Sequence, residues 1–284
     1  RKMLVDVFPC EDGHAQERSL LDQVIPTVKP GQLWLADRNF CTQGFLSDIA
    51  QCDAKVLFRR HGGLPLRETS AWSKEITNSD GQRITECKVD IGGRAYRLIR
   101  VQLTQATRDG DKTLDLISDV PDTVSAETLA ALYRKRWRLE TAFQHLEKHL
   151  NSEINTLAYP RAALFGFCLA LVAYNMYELA LSTLDAVHQT PVSETISTYY
   201  VGHEIATTLT ALVLLSDEED WHFLTPYSAT EFANWLLSVA RHVQLKKYQK
   251  SVRGVKKPKK KTPHDPKHPH VSTHRLLKAE RDKA

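Results

Sequence analysis

The sequence predicts an α/β fold with a mixed sheet, a β-rich insertion and a helical C-terminal region, on three observations. Strand-like and helix-like apolar patterns alternate over residues 2–60. Short segments of period-two alternation, broken at Gly92-Gly93, fill residues 62–110. Beyond Pro160 the apolar pattern is mainly helical to about His242.

In chain order, Lys2–Phe8 is apolar and β-branched enough for a strand, and "AQERSLLDQVI" spaces Leu20, Leu21, Val24 and Ile25 as one face of a helix. The Pro30-Gly31 turn introduces "LWLA", an apolar run that reads as a buried strand ending at Asp37. A helix over Gly44–Gln51 and the strand "KVLFRR" follow. Two-residue glycine turns are hairpin turns, so "ECKVDI" and "RAYRLIRV" should pair across Gly92-Gly93. The strand "TLDLISDV" then ends at Pro121. A long helix starts at Ser125, a good N-cap with Glu127 in its first turn, and its pattern continues to Leu150. Ser228 and Glu231 have the spacing of a capping box before "FANWLLSVA".

Composition narrows the class. Apolar residues make up 42% and charged residues 25% of 284, the balance of a soluble globular protein able to bury a full core. Cys10, Cys41, Cys52, Cys87 and Cys168 are scattered and odd in number, which argues against a disulfide framework and a zinc ribbon and for a reducing cytoplasm. The apolar run from Ala162 to about Ala173 is too short to span a bilayer and reads as a buried helix, so no membrane partner is expected. Residues 241–284 hold 15 Lys and Arg against 3 Asp and Glu, a balance of +12, while the remainder holds 23 against 31, or −8. A basic tail on an acidic body points to a polyanion, nucleic acid first. Within it, Lys256, Lys257, Lys259, Lys260 and Lys261 would grip DNA backbone without reading bases. His264, His268, His270 and His274 lack cysteine or carboxylate partners at ligand spacing, so a flexible end is the better reading than a metal cluster.

Two places carry chemistry. Asp37 stands where a buried strand runs out, and carboxyl ends of strands in α/β sheets are where ligands collect. Arg38 beside it supplies a cation for an anionic substrate; the competing role for Asp37 is to cap the next helix. In the second place, Tyr133, Arg136 and Glu140 fall within a roughly 60° arc at helical spacing, beside an apolar stripe. A carboxylate, a guanidinium and a phenol held there can bind a divalent cation, grip a phosphate and position a backbone oxygen.

"LADRNFCTQGFL" together with "YRKRWRLE" resembles the DDE transposases of bacterial insertion sequences of the IS-four type, whose signature is Tyr, two residues, Arg, three residues, Glu, six residues, Lys. Tyr133, Arg136 and Glu140 match it in type and spacing, Asp37 matches the family's second catalytic Asp, and "INTLAYPRAALFGFCLALVAYN" resembles the run that follows. The signature Lys would fall at Glu147, with Lys148 one residue late. No residue fits the family's first Asp. Asp6 and Asp119 are out of place for it, and the chain opens on Arg1 and Lys2 without a start methionine, so that Asp is expected upstream and the fragment is expected to be inactive alone.

The resemblance implies an RNase H-like core split by the insertion. Residues 1–61 would be its first part, 62–113 the β-rich insertion, 114–180 the rest of the core with the Glu140 helix, 181–245 a helical region and 246–284 a flexible basic tail. It implies Mg²⁺ or Mn²⁺, two ions held by carboxylates including Asp37 and Glu140, with Lys148 touching DNA. It further implies double-stranded DNA as substrate and target, a homodimer on DNA, and a nucleoid-associated location. Trp72 in the insertion is either packing or a surface for an extruded base. The alternative from another class is a non-catalytic, truncated transposase that binds DNA as an inhibitor or remnant.

Overall fold

The computed structural model describes residues 3–9, 16–107, 110–136, 140, 142, 159–189 and 192–251. Its centre is one mixed seven-stranded sheet: β1 (Leu33–Ala36), β2 (Lys55–Arg59), β3 (Arg67–Glu68), β4 (Ile76–Thr77), β5 (Arg83–Ile91), β6 (Arg94–Gln102) and β7 (Thr113–Ser118). The strand order is β1-β2-β7-β6-β5-β3, with β4 also on β5. Only β1 and β2 are parallel, in the register Ala36 opposite Phe58; every other pairing is antiparallel. A parallel pair needs a crossover, and α2 (Gln43–Gln51) supplies it, capped by Thr42, whose hydroxyl accepts from the Phe45 amide.

Period-two burial gives the sheet two apolar faces. On one, Val56, Phe58, Leu98 and Ile117 meet Phe45, Leu46 and Ile49 of α2. On the other, Leu57, Ile84, Ile99, Val101 and Leu116 meet Leu129, Ala130 and Tyr133 of α3 (Ala126–Arg134), with Leu35 beside them. The chain is therefore α/β, as the alternation predicts. The hairpin forms where the glycines stand: Gly92 and Gly93 take φ of +60° and +83°, and nine residues pair on each side. Instead of standing apart, these strands join the β1–β2 pair through β7 in the same sheet.

Four readings change. Residues 3–9 form no strand; the Asn175 side chain accepts from Leu4 N at 2.8 Å and donates to Leu4 O at 2.6 Å. The strand pattern was correct in hydropathy, but an amide takes the place of a neighbouring strand. The "AQERSLLDQVI" face is split, with 3₁₀ turns at Glu17–Leu20 and Ile25–Thr27 on either side of α1 (Leu21–Val24). The helix begun at Ser125 does not run unbroken: Lys135 N bonds Leu132 O and Arg136 N bonds Tyr133 O, three residues back, so α3 tightens and ends in a turn before Glu140. The fourth concerns the apolar run after Pro160. It belongs to α4 (Pro160–His188), 29 residues long, and Arg161–His188 is long and apolar enough to cross a membrane by length and composition alone. Only 28% of its most apolar window is buried, with Phe165, Leu169, Val172 and Met176 exposed, so it is not the short buried helix expected.

Among the described residues three more α-helices follow, α5 (Val192–Thr195), α6 (Thr198–Leu215) and α7 (Ala229–Ala240), and α4 packs on both α5 and α7. The capping box is present: Ser228 Oγ accepts from Glu231 N, and the Glu231 carboxylate accepts from Ser228 N. Cys41, Cys52, Cys87 and Cys168 are free thiols.

Candidate active site

Asp37 follows the last residue of β1, one step beyond the Ala36–Phe58 pair, which sets it opposite Arg59 at the end of β2. Alternation places both on the face that carries Leu35 and Leu57, the face covered by α3. The Asp37 side chain makes no capping bond to the 3₁₀ turn Arg38–Phe40 that it precedes. Its Oδ1 is buried without a hydrogen-bond partner among the described residues. The capping role is thereby removed, and a buried carboxylate oxygen is left open.

Tyr133 reaches the same place from above. It is 5% exposed at the last turn of α3, and the Arg136 guanidinium lies 5.8 Å from its ring centroid. Arg136 Nη2 donates to Glu140 Oε1 at 3.1 Å. The turn at Lys135 and Arg136 thus keeps the signature residues in contact although the helix is interrupted. Tyr133 Oη and Arg136 Nε are, like Asp37 Oδ1, buried without a hydrogen-bond partner among the described residues.

The electrostatics tie the group together. Burial pushes the Tyr133 phenol up to about 12, the Asp37 charge adding to the rise and Arg136 and Arg59 opposing it. Burial also works against the Arg136 charge, but Tyr133, Asp37 and Glu140 outweigh that cost and hold the guanidinium above its ordinary value. Asp37, Tyr133, Arg136 and Glu140 therefore form one cluster around Arg136, two carboxylates and two cations around a phenol once Arg59 is counted. Arg59 was not singled out in the sequence, where "FRR" reads only as a strand end; the parallel register with Asp37 is the signal that finds it.

Other candidates separate from this cluster. Arg38 is exposed at the start of its 3₁₀ turn. Asp119 is structural: its Oδ1 accepts from Val56 N at 2.8 Å and it pairs with Lys55. Asp6 accepts from the neighbouring Val7 amide. Trp72 donates to Glu68 and stacks under the Arg100 guanidinium at 4.6 Å, which Asp115 grips with both oxygens. Glu147, Lys148, the histidines of the tail and Lys256, Lys257, Lys259, Lys260 and Lys261 lie outside the described residues. Among the described residues no group of three or more His, Cys, Asp or Glu side chains is arranged to hold a metal ion.

A carboxylate at the end of a parallel strand, on the sheet face covered by the helix that carries Tyr133, offers an oxygen ligand at the edge where ligands collect in α/β sheets. Residues 6–176 match the transposase DDE domain family, and the chain belongs to that family. A protein of Sinorhizobium fredii (strain NBRC 101917 / NGR234) named "Putative transposase y4zB" is 23% identical over 157 residues, which is 54% of this chain and 44% of that protein. The chain thus spans less than half the length of this relative.

Proposed function

We propose that this chain supplies much of the catalytic domain of a DDE-type DNA transposase, an enzyme that cuts DNA strands at the ends of an insertion sequence and transfers them to target DNA, on an RNase H-like core. The observation that supports the reading is the Arg136 guanidinium, which bonds Glu140 and is acted on by the charges of Asp37 and Tyr133, with Asp37 Oδ1, Tyr133 Oη and Arg136 Nε buried and unpartnered among the described residues. An unsatisfied buried polar atom costs about 1–3 kcal/mol, so a cluster of them favours a ligand that satisfies them together.

The donor set fits a hard cation. Asp37 and Glu140 offer oxygen ligands only, which suit Mg²⁺ or Mn²⁺, and the complete site would take two ions with further carboxylate help. When bound, such ions neutralise charge on the attacking and leaving oxygens of a phosphodiester. The chain's own residues do the rest. Arg136 and Arg59 offer planar forks of N–H donors that match phosphate oxygens, and Tyr133, kept protonated by burial, offers an O–H to a backbone oxygen. Glu140 holds Arg136 in place through the 3.1 Å hydrogen bond until a phosphate competes for the guanidinium.

The divisions at residues 1–61, 62–113, 114–180, 181–245 and 246–284 belong to the same proposal, as do assembly as a homodimer on DNA, a cytoplasmic, nucleoid-associated location and backbone contacts by Lys148 and the lysines of the tail. The decisive experiment pairs two readouts on the full chain. Mn²⁺ binding followed by electron paramagnetic resonance should weaken at least about tenfold in Asp37→Asn and Glu140→Gln. Mg²⁺-dependent nicking of supercoiled DNA carrying the element's ends, read in a chain to which the family's first Asp-bearing strand has been restored, should vanish in both, while duplex binding persists. Equal Mn²⁺ binding in wild type and both variants overturns the reading.

A further inference from the structure

The Arg59 side chain has one hydrogen-bonded partner among the described residues, and it comes from the loop between β6 and β7. Its Nη2 donates to Asp111 Oδ2 at 2.5 Å, the Arg59 side chain being 16% exposed. Asp111 sits in the β6–β7 loop and is itself held: Thr107 N donates to Asp111 O at 2.9 Å, and Asp111 N donates to Thr107 Oγ1 at 3.1 Å. Gly110, at φ +88°, closes this turn. Leu103 N to Lys112 O then ties the loop's two ends together. The adjacent Arg60 is treated alike, since Asp115 of β7 takes its side chain at 3.5 Å and accepts its amide at 2.8 Å.

We infer that Asp111 is a positioning residue for DNA binding: it fixes one edge of the Arg59 guanidinium so that the remaining donors meet a phosphate at the Asp37–Tyr133–Arg136 cluster. This rests on the reading of that cluster as a phosphodiester site. The chemistry favours it over simple surface pairing. Arg59 is mostly buried, it stands opposite Asp37, and its charge is felt at Tyr133. A guanidinium has five N–H donors in a rigid fork, so one carboxylate on one edge orients the fork without using it up. A free side chain would instead have to lose rotamer entropy each time DNA bound. The loop between β6 and β7 thereby becomes part of the site through the Asp111–Arg59 bond.

The test is a double-mutant cycle on the full chain, reading affinity for a duplex of about 20 base pairs at about 0.3 M salt, where loose backbone contacts from the basic tail are screened. Arg59→Ala and Asp111→Asn should each weaken binding by about tenfold, and the double variant should be no weaker than Arg59→Ala alone. Asp111→Glu, which restores the charge, should recover part of the loss. Thermal unfolding of each variant distinguishes misfolding from mispositioning, and a general loss of fold would weaken Arg59→Ala further on adding Asp111→Asn. Tighter binding by Asp111→Asn overturns the proposal, because Asp111 would then compete with phosphate. Independent, additive losses overturn it as well. If Arg59→Ala itself leaves affinity unchanged, what fails is the phosphate-binding reading of the cluster.

Discussion

Two arginines, each set against an acidic partner, divide this molecule into scaffold and site. Arg97 of β6 is 3% exposed and engages all three of its side-chain nitrogens: Nε and Nη2 on Glu86, at 2.8 and 2.7 Å, and Nη1 on the carbonyls of Val120, Pro121 and Val124. Those carbonyls form the loop that delivers Ser125, the N-cap of α3. Arg136, at the other end of α3, keeps one hydrogen bond to Glu140 and leaves Nε buried and unpartnered, with Tyr133 Oη and Asp37 Oδ1 in the same condition. The same chain can evidently satisfy a buried guanidinium in full. Arg60 Nε and Tyr177 Oη are also buried and unpartnered among the described residues, but only at Asp37, Tyr133 and Arg136 do three such atoms belong to groups that act on one another, which marks a place where stability has been given up for binding.

The largest expected effect tests that division directly. Arg97→Met should cost about 3–5 kcal/mol in urea unfolding, because it strands Glu86 and three loop carbonyls. Arg136→Met should cost no more than about 1 kcal/mol, since it removes an orphaned donor and frees a part-exposed Glu140. DNA affinity at elevated salt should respond in the opposite order once the loss of folded Arg97→Met is allowed for. Equal stability losses in the two variants would erase the distinction between scaffold and site.

What the sequence made legible follows the same line. Asp37, Tyr133, Arg136 and Glu140 stood out as candidates through one strand end, helical spacing and, above all, the resemblance to the transposase signature, and the hairpin because Gly92 and Gly93 must adopt positive φ. The helix break at Lys135 could not, since "LYRKRWRLE" has strong helix propensity throughout and the tightening depends on i to i−3 bonds formed only in place. Residues 3–9 misled because β-branched composition reports hydrophobicity but not whether a neighbouring strand exists to pair with. Arg59 was hidden for the complementary reason. Its role comes from β1–β2 register, a relation between segments that no local pattern carries.

A middle-sized effect sharpens the comparison through pH. The Tyr133 phenol is raised by burial from its ordinary value of 10 to about 12, so the folded state holds this proton more tightly than the unfolded chain. Its contribution to stability is complete below about pH 10 and is lost as pH rises towards 12, amounting to about 2–3 kcal/mol. Tyr133→Phe should remove that part of the alkaline decline, leaving what Tyr174 and Tyr177 contribute, as both are also raised by burial. Unfolding free energies at pH 8 and pH 11.5 check this. Near pH 8 the variant should match or slightly exceed wild type, because the hydroxyl it loses has no hydrogen-bond partner. An unchanged decline in Tyr133→Phe would mean that the phenol is not the buried, protonated group the cluster requires.

The smallest effect separates the helix that carries the site from one that does not. Ser125 caps α3 by accepting from Thr128 N at 3.1 Å, and Ser228 caps α7 by accepting from Glu231 N at 3.3 Å. Each Ser→Ala change should cost about 1 kcal/mol, because each strips a side-chain acceptor from an orphan amide of the first turn. Thermodynamically the two variants should be nearly indistinguishable. Functionally they should differ, since the last turn of α3 carries Tyr133 and leads into the turn that presents Arg136, so fraying at its start loosens the cluster's footing on the sheet. Ser125→Ala should therefore lower duplex affinity at about 0.3 M salt by a fewfold, while Ser228→Ala leaves it at the wild-type value. Loss of affinity in Ser228→Ala alone would move the DNA-binding surface to the helices beyond Pro160 and reduce the Asp37–Arg136 cluster to a part of the scaffold.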